Sequence, residues 1–261
     1  MKKVFLIALD ILLIAYMVFA LGFSGSRESE LLCRELKIQM KDSLHAGFLK
    51  KEDIEKLILN SDEAILGYPL SGINIRRLEA KLRELPYVRK AELYSSLDGV
   101  LYADIHQRKP VIRIITRSQN TYYIDKEGYI FPSYKDFTPH ILIANGYFSE
   151  GKELKGVRNV GELKDHDAYH EWIEALDLAR YLMSSKLWKP QIVQLYYNRS
   201  GDFELIPRVG AHQIIFGRGE DIEGKFGKLK ILYEEGLKYE GWNTYEKINL
   251  KYDNQVICTK R

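Results

Sequence analysis

The sequence predicts an α+β protein: a single N-terminal transmembrane helix, a small β-α-α-β-β module, and then a mixed, β-rich domain that ends on an edge strand. Three observations carry this. Val4 to Phe23 is an almost unbroken apolar run, helix-period and strand-period stretches alternate over residues 36–110, and strand alternation dominates most of residues 111–261.

The apolar run comes first. About twenty residues at 1.5 Å rise match a hydrocarbon core of roughly 30 Å, so residues 4–23 are long enough to span a bilayer once. Lys2 and Lys3 precede the run, whereas Arg27 beyond it is answered by Glu28 and Glu30. That bias holds residues 1–3 in the cytoplasm and sends the rest outward. The competing pattern is a cleaved signal peptide, because Ala20-Leu21-Gly22 is small-x-small behind a basic start. A signal peptide's apolar stretch normally runs about 7–15 residues, and this one is longer. Asp10 interrupts the run. It either pairs with a polar group on another membrane helix or, about two turns from the cytoplasmic end, sits protonated or hydrated.

Residues 24–35 are short, polar and charged, a juxtamembrane linker. Leu36, Ile38 and Met40 then alternate with Lys37, Gln39 and Lys41, the period of a half-buried strand. Lys50-Lys51-Glu52-Asp53 opens a helix with Ile54, Leu57 and Ile58 on one face. A Gly-, Pro- and Ser-containing loop leads to a second helix, capped by Asn74, whose Ile75, Leu78, Leu82 and Leu85 share one face. Pro86 ends it. Val88, Ala91 and Leu93 approach Asp98-Gly99, which turns the chain into the alternating Leu101, Ala103 and Ile105. The first module closes near Pro110.

In the second module Val111–Thr116, Thr121–Ile124 and Tyr129–Phe131 read as strands, with Asp125-Lys126-Glu127-Gly128 turning between the last two. His140–Ala144 is another. A helix is expected from about Asp167 to Ser185, with Trp172, Ile173, Leu176, Ala179 and Leu182 inward. Strands follow at Ile192–Tyr197, Phe203–Pro207 and Gln213–Phe216, and a last helix from about Glu220 to Lys238 turns Phe226, Leu229, Leu232 and Tyr233 to the sheet. Tyr245–Tyr252 alternates again, and Val256–Cys258 is its extension at a sheet edge.

Little of this is catalytic chemistry. There is no glycine-rich loop opening a helix, no paired-cysteine spacing, no HExxH and no G-x-S-x-G. His166 and His170, one helical turn apart, are the nearest approach to a metal site. A zinc ion would need further protein ligands that the sequence does not place nearby, so exposed histidines at an acidic helix start are the simpler reading. A net charge of +3, with no basic-aromatic stripe, argues against nucleic acid. No cofactor, metal or enzymatic activity is expected. Cys33 and Cys258 are either one long-loop disulfide, worth about 4–5 kcal/mol on the entropic account, or two unpaired, partly buried thiols. What remains is interaction: an edge strand offers unpaired backbone groups that another extended segment can complete, unless charges such as Lys247, Lys251 and Asp253 blunt it.

Several segments together resemble the FtsQ/DivIB cell-division proteins, in a Bacteroidetes-type form. Leu85-Pro86-Tyr87-Val88-Arg89-Lys90-Ala91-Glu92-Leu93 is similar to that family's proline-x-valine stretch before the hairpin. Ile105-His106-Gln107-Arg108-Lys109-Pro110-Val111 resembles its Glu-Arg-x-Pro strand end, with Gln107 in place of the glutamate. Tyr122 to Pro132 resembles its Tyr-x-Asp-x-x-Gly hairpin, Phe216-Gly217-Arg218-Gly219-Glu220 its Gly-Arg-Gly-Asp/Glu turn, and Ile248-Asn249-Leu250-Lys251-Tyr252-Asp253 its Val-Asp-Leu-Arg-Tyr-Asp strand. The family's aromatic residue after that strand is absent; Cys258 or Thr259 falls near its place.

The resemblance implies a POTRA domain over residues 36–110 and the family's β domain over 111–261. It implies a divisome scaffold in the inner membrane at the septum, binding an FtsB–FtsL-like pair and coupling septal peptidoglycan synthesis to constriction. Strand addition at the terminal strand would place Leu250, Lys251, Tyr252 and Asp253 at the partner-binding edge, with Tyr252 as the aromatic anchor. Other divisome proteins would meet the POTRA domain and the transmembrane helix. The alternative for a POTRA-bearing chain is an outer-membrane assembly or protein-secretion component, which would continue into a long barrel of roughly ten-residue alternating strands.

Overall fold

The computed structural model describes residues 10–19, 31–41, 47–60, 65–149, 159–164 and 170–261. The chain divides into two units, Met1–Arg108 and Lys109–Arg261. Residues 10–19 form helix α1, whose large side chains from Ile11 to Phe19 are 58–70% exposed. A helix apolar all round needs apolar surroundings. Among the described residues no helix is long and apolar enough to cross a membrane; residues 4–9 and 20–23 of the expected span lie outside them. Asp10 is exposed at the start of the described helix.

The first unit has the expected β-α-α-β-β order. β1 (Glu35–Met40) leads to α2 (Lys51–Leu59) and α3 (Ile75–Arg83), followed by β2 (Val88–Ser95) and β3 (Val100–Gln107). The sheet order is β1-β3-β2, with β1 parallel to β3 and β2 antiparallel to it. Parity decides the faces: Ile38, Ala91, Leu93, Leu101, Ala103 and Ile105 point to the helices and meet Ile54, Ile58, Leu78 and Leu82 in one core. Each buried isoleucine or leucine among these contributes about 1.5–3 kcal/mol. Asn74 caps α3 as its sequence suggests, its side-chain oxygen accepting from the Arg77 amide at 3.1 Å. The β2–β3 turn ends on Gly99, whose φ of +86° favours glycine. Gln107 is 1% exposed, and its side-chain oxygen accepts the Leu49 amide at 3.1 Å. Residues 31–34, placed in the linker by composition, are instead bonded to this unit: the Cys33 amide donates to Tyr68 O at 2.8 Å and the Arg34 amide to Gly99 O at 2.8 Å.

The second unit is built on a larger sheet. Its strands are β4 (Pro110–Ile115), β5 (Thr121–Asp125), β6 (Ile130–Pro132), β7 (Leu142–Gly146), β8 (Ile192–Tyr197), β9 (Phe203–Pro207), β10 (Gln213–Gly217), β11 (Tyr245–Asn249) and β12 (Ile257–Lys260). Among the described residues they pair in the order β12-β11-β10-β9-β8-β7-β4-β5-β6. Three of these pairs, β4–β7, β7–β8 and β10–β11, are parallel. The last two pairs are bridged by helical crossovers, because parallel neighbours cannot be joined by a tight turn. The first crossover holds α4 (His170–Ser184) and α5 (Trp188–Gln191); the second holds α6 (Ile222–Ile231), a π-helical turn (Leu232–Gly236) and α7 (Leu237–Glu240). Trp172, Leu176, Ala179 and Leu182 of α4 join Phe226, Leu229, Tyr233 and Leu237 of the second crossover on a core of Ile112, Ala144, Leu195, Leu205, Ile214 and Ile248.

Two expectations need correction here. The last helix is not one regular helix over Glu220–Lys238; it begins at Ile222, after Asp221 caps it, and the π turn interrupts it. The terminal strand does not run from Tyr245 to Tyr252. It stops at Asn249, whose side-chain oxygen accepts the Lys251 amide at 3.0 Å, and the chain turns through Asn254 at φ +58° into β12, a separate antiparallel strand.

Candidate partner-binding edge

β12 lies at the end of the sheet, and among the described residues its strand neighbour is β11 alone. Its register with β11 pairs Ile257 with Asn249, Cys258 with Ile248 and Thr259 with Lys247. The side of an edge strand away from its neighbour presents a row of backbone N–H and C=O groups. Ile257 is 45% exposed, Thr259 and Lys260 are exposed, and Cys258 is half-buried against the core. Beyond the strand, Arg261 donates from its amide to Thr244 O and from its guanidinium to Ala211 O. These bonds tie the far end of the edge to the body of the unit.

The residues that sequence placed at the edge sit in the β11–β12 connection, and they divide by role. Leu250 is 0% exposed, and its amide donates to Ile215 O at 2.9 Å, continuing the β10–β11 pairing beyond the strand. Its side chain is an anchor turned into the core, away from a partner. Lys251 reaches back across the sheet end to Asp202, Nζ to Oδ2 at 2.7 Å. Gly217, at φ +82°, leaves room for it: a Cβ there would stand 2.9 Å from Lys251 Cγ. Tyr252 is 48% exposed and Asp253 is exposed. Of the four, Tyr252 is the aromatic surface a partner can cover.

Helix α6 holds this connection in place. Lys228 Nζ donates to Leu250 O at 3.2 Å and to Tyr252 O at 2.7 Å, drawing two carbonyls two residues apart onto one ammonium. At the start of the same helix, Lys225 is 9% exposed; its Nζ donates to Arg218 O at 2.8 Å and lies 4.8 Å from the centroid of the Phe216 ring. Burial pushes its pKa below the ordinary lysine value. The Gly219 amide donates to Glu174 Oε2 at 2.8 Å, so the Gly217-Arg218-Gly219 turn is fastened from both crossovers. This turn is the strand-to-helix connection that the sequence indicates, without the features of a phosphate loop.

Sequence reasoning placed Ile257 only within the Val256–Cys258 extension and did not single out Lys228 or Arg261. That β12 is a strand of its own had a signal, the Asp253-Asn254 turn pair ahead of the β-branched Val256, Ile257 and Thr259. For Lys228 there was none, since a lysine on an amphipathic helix reads as a solvated face.

Cys33 and Cys258 are free thiols, Cys33 buried in the first unit and Cys258 half-buried on β12, and burial raises the pKa of both. Of the histidine pair, His170 is exposed at the described start of α4 and His166 lies outside the described residues. Among the described residues no group of three or more His, Cys, Asp or Glu side chains is arranged to hold a metal ion.

Residues 109–259 match the protein family described as "FtsQ/DivIB, C-terminal related", and residues 31–106 match the one described as "POTRA-like domain". No curated protein matches the chain.

Proposed function

This chain belongs to the FtsQ/DivIB family of cell-division scaffolds, and from that premise we propose that it is a bitopic protein that takes a strand from an FtsB–FtsL-like pair onto β12. The observation that carries this is the free side of β12, flanked by the exposed Ile257 and Tyr252. Main-chain hydrogen bonds to an added strand supply affinity, and the apolar side chains beside it supply selectivity. Lys247, Lys260 and Arg261 give the edge a basic cast that suits an acidic partner strand.

Residues 4–23 anchor the chain in the inner membrane at the septum, with the N-terminus cytoplasmic and both folded units outside. The POTRA-like unit and the membrane helix serve further divisome contacts, and the bound partners couple septal peptidoglycan synthesis to constriction. The protein acts by holding partners and uses no cofactor.

Proline scanning of β12 tests the edge. Neighbouring residues on an edge strand turn their amides alternately toward and away from the paired strand. Of Cys258→Pro and Thr259→Pro, one should therefore loosen β12 from β11, and the other should leave the fold intact while removing an outward donor. The second should lose co-purification of a co-expressed FtsB–FtsL-like pair, and Tyr252→Ala should weaken it. Undiminished capture by both prolines and by Tyr252→Ala would refute strand addition at β12.

A further inference from the structure

The first unit carries its most exposed apolar side chains at one end. Outside α1, and among the described residues, the four most exposed large apolar side chains of this unit are Leu97 (77%), Leu66 (51%), Leu32 and Tyr68 (48% each). They come from three separate segments of chain. Backbone bonds gather these segments: Gly67 N donates to Cys33 O at 2.7 Å, Cys33 N to Tyr68 O at 2.8 Å, Leu70 N to Leu31 O at 2.8 Å and Arg34 N to Gly99 O at 2.8 Å. Gly99 is needed for this approach, since a Cβ there would stand 2.8 Å from Leu32 O. The turn bearing Leu97, the loop bearing Leu66 and Tyr68, and the entering chain at Leu32 therefore form one rim. A cleft of about 200 Å³ lined by Leu31, Leu70, Ser71, Ser95, Ser96 and Leu97 opens on it.

Singly exposed leucines are ordinary on a protein surface. Four large apolar groups at the end where the chain enters are not scattered. Strand direction fixes which end this is: β1 begins here and runs parallel to β3, so Val100 is at the rim and Gln107 is at the far end, about 23 Å away at 3.3 Å per residue. The entering chain supplies the rest. Residues 24–30 separate the expected span from Leu31, and seven residues reach at most about 25 Å even when fully extended.

We propose that this rim, formed by Leu32, Leu66, Tyr68 and Leu97, rests in the interfacial layer of the bilayer that anchors the chain, so that the POTRA-like unit stands end-on to the membrane. The inference rests on the anchor reading for residues 4–23. Leucine with tyrosine suits the boundary between headgroups and acyl chains, where an amphipathic ring keeps its hydroxyl wet. Asp98, next to Leu97, and Arg34 keep the contact shallow, because their charges stay among headgroups and water.

The test uses the full chain reconstituted in vesicles of phosphatidylethanolamine and phosphatidylglycerol, with Cys258→Ser to remove the half-buried thiol and buried Cys33 left in place. An environment-sensitive fluorophore is attached at Leu97→Cys, at Leu66→Cys, or at Lys90→Cys toward the far end of β2. The expected result is blue-shifted emission and at least twofold stronger quenching by acyl-chain-brominated lipid at positions 97 and 66 than at 90. Equal, water-like emission at all three positions in a chain that resists alkaline extraction overturns the rim contact and leaves the anchor standing. A chain stripped from the vesicles by alkaline extraction overturns both. A shift at 97 that appears only on adding a partner protein, or only at high protein-to-lipid ratio, also overturns it and identifies a protein or a second copy as the occupant.

Discussion

Replacing Lys228 by methionine keeps helix propensity and length while removing two hydrogen bonds from the connection that carries Tyr252. A hydrogen bond to a charged donor nets about 1.5–3 kcal/mol. The bond to Leu250 O is part-buried and takes the low end, about 1.5 kcal/mol. The bond to Tyr252 O is exposed to water and is discounted to about 0.5 kcal/mol. Together they hold the loop by about 2 kcal/mol, a roughly 30-fold change in its opening equilibrium. Amide hydrogen exchange across residues 249–252 should therefore speed up about 30-fold in Lys228→Met. Urea unfolding followed by tryptophan fluorescence reads the second unit alone, because Trp172, Trp188 and Trp242 all lie in it. Lys230→Met on the same helix is the control. Among the described residues Lys230 pairs with Glu234 at 3.8 Å, both ends more than half exposed, so its loss should stay within about 0.5 kcal/mol. If the two variants exchange and unfold alike, Lys228 does not hold the connection.

Two further outcomes follow from buried titratable groups. His212 is 3% exposed, with Nε2 2.8 Å from Tyr233 Oη and Arg261 nearby, and burial holds its pKa below the ordinary histidine value. The folded state then resists a proton that the unfolded chain accepts near pH 6.5, so stability present above about pH 6.5 should fall by up to about 1.4 kcal/mol per pH unit below it. In His212→Gln that component of the acid limb should vanish from urea midpoints read by tryptophan fluorescence; an unchanged limb would count against it. For the cysteines, alkylation of the native protein should modify Cys258 slowly and Cys33 only on unfolding, with both modified without a reductant. An intact mass lower by a pair of hydrogens, restored by reduction, would show a disulfide instead.

Local chemistry made the first unit easy to read. Asn74 caps its helix, Gly99 closes its hairpin and Ile38 faces the core, because each depends on neighbours within a few residues. The second unit resisted at its parallel pairings. Whether β7 lies beside β4 and β8 is settled by crossovers tens of residues long, which leave no mark on periodicity. The candidate edge shows a subtler failure. Alternation continues through Ile248, Leu250 and Tyr252, and Leu250 is indeed buried, yet the backbone has already left the strand at Asn249. Hydrophobic period reports burial, and here a turn buries a side chain as well as a strand would. Lys228 and the carbonyls it gathers are contacts between segments more than twenty residues apart, set by tertiary packing.

The two ends of the larger sheet are unlike, and this sets the arithmetic of assembly. β6 is three residues long and closes on Pro132, which has no amide to offer a neighbour. Head-to-tail stacking of one copy's β12 on another's β6 is therefore discouraged, and with it open-ended fibre growth. For this sheet, self-pairing is left with the closed, two-fold dimer of β12 on β12. That dimer would use the same backbone row as a partner strand, so on this sheet homodimer and heterocomplex are mutually exclusive.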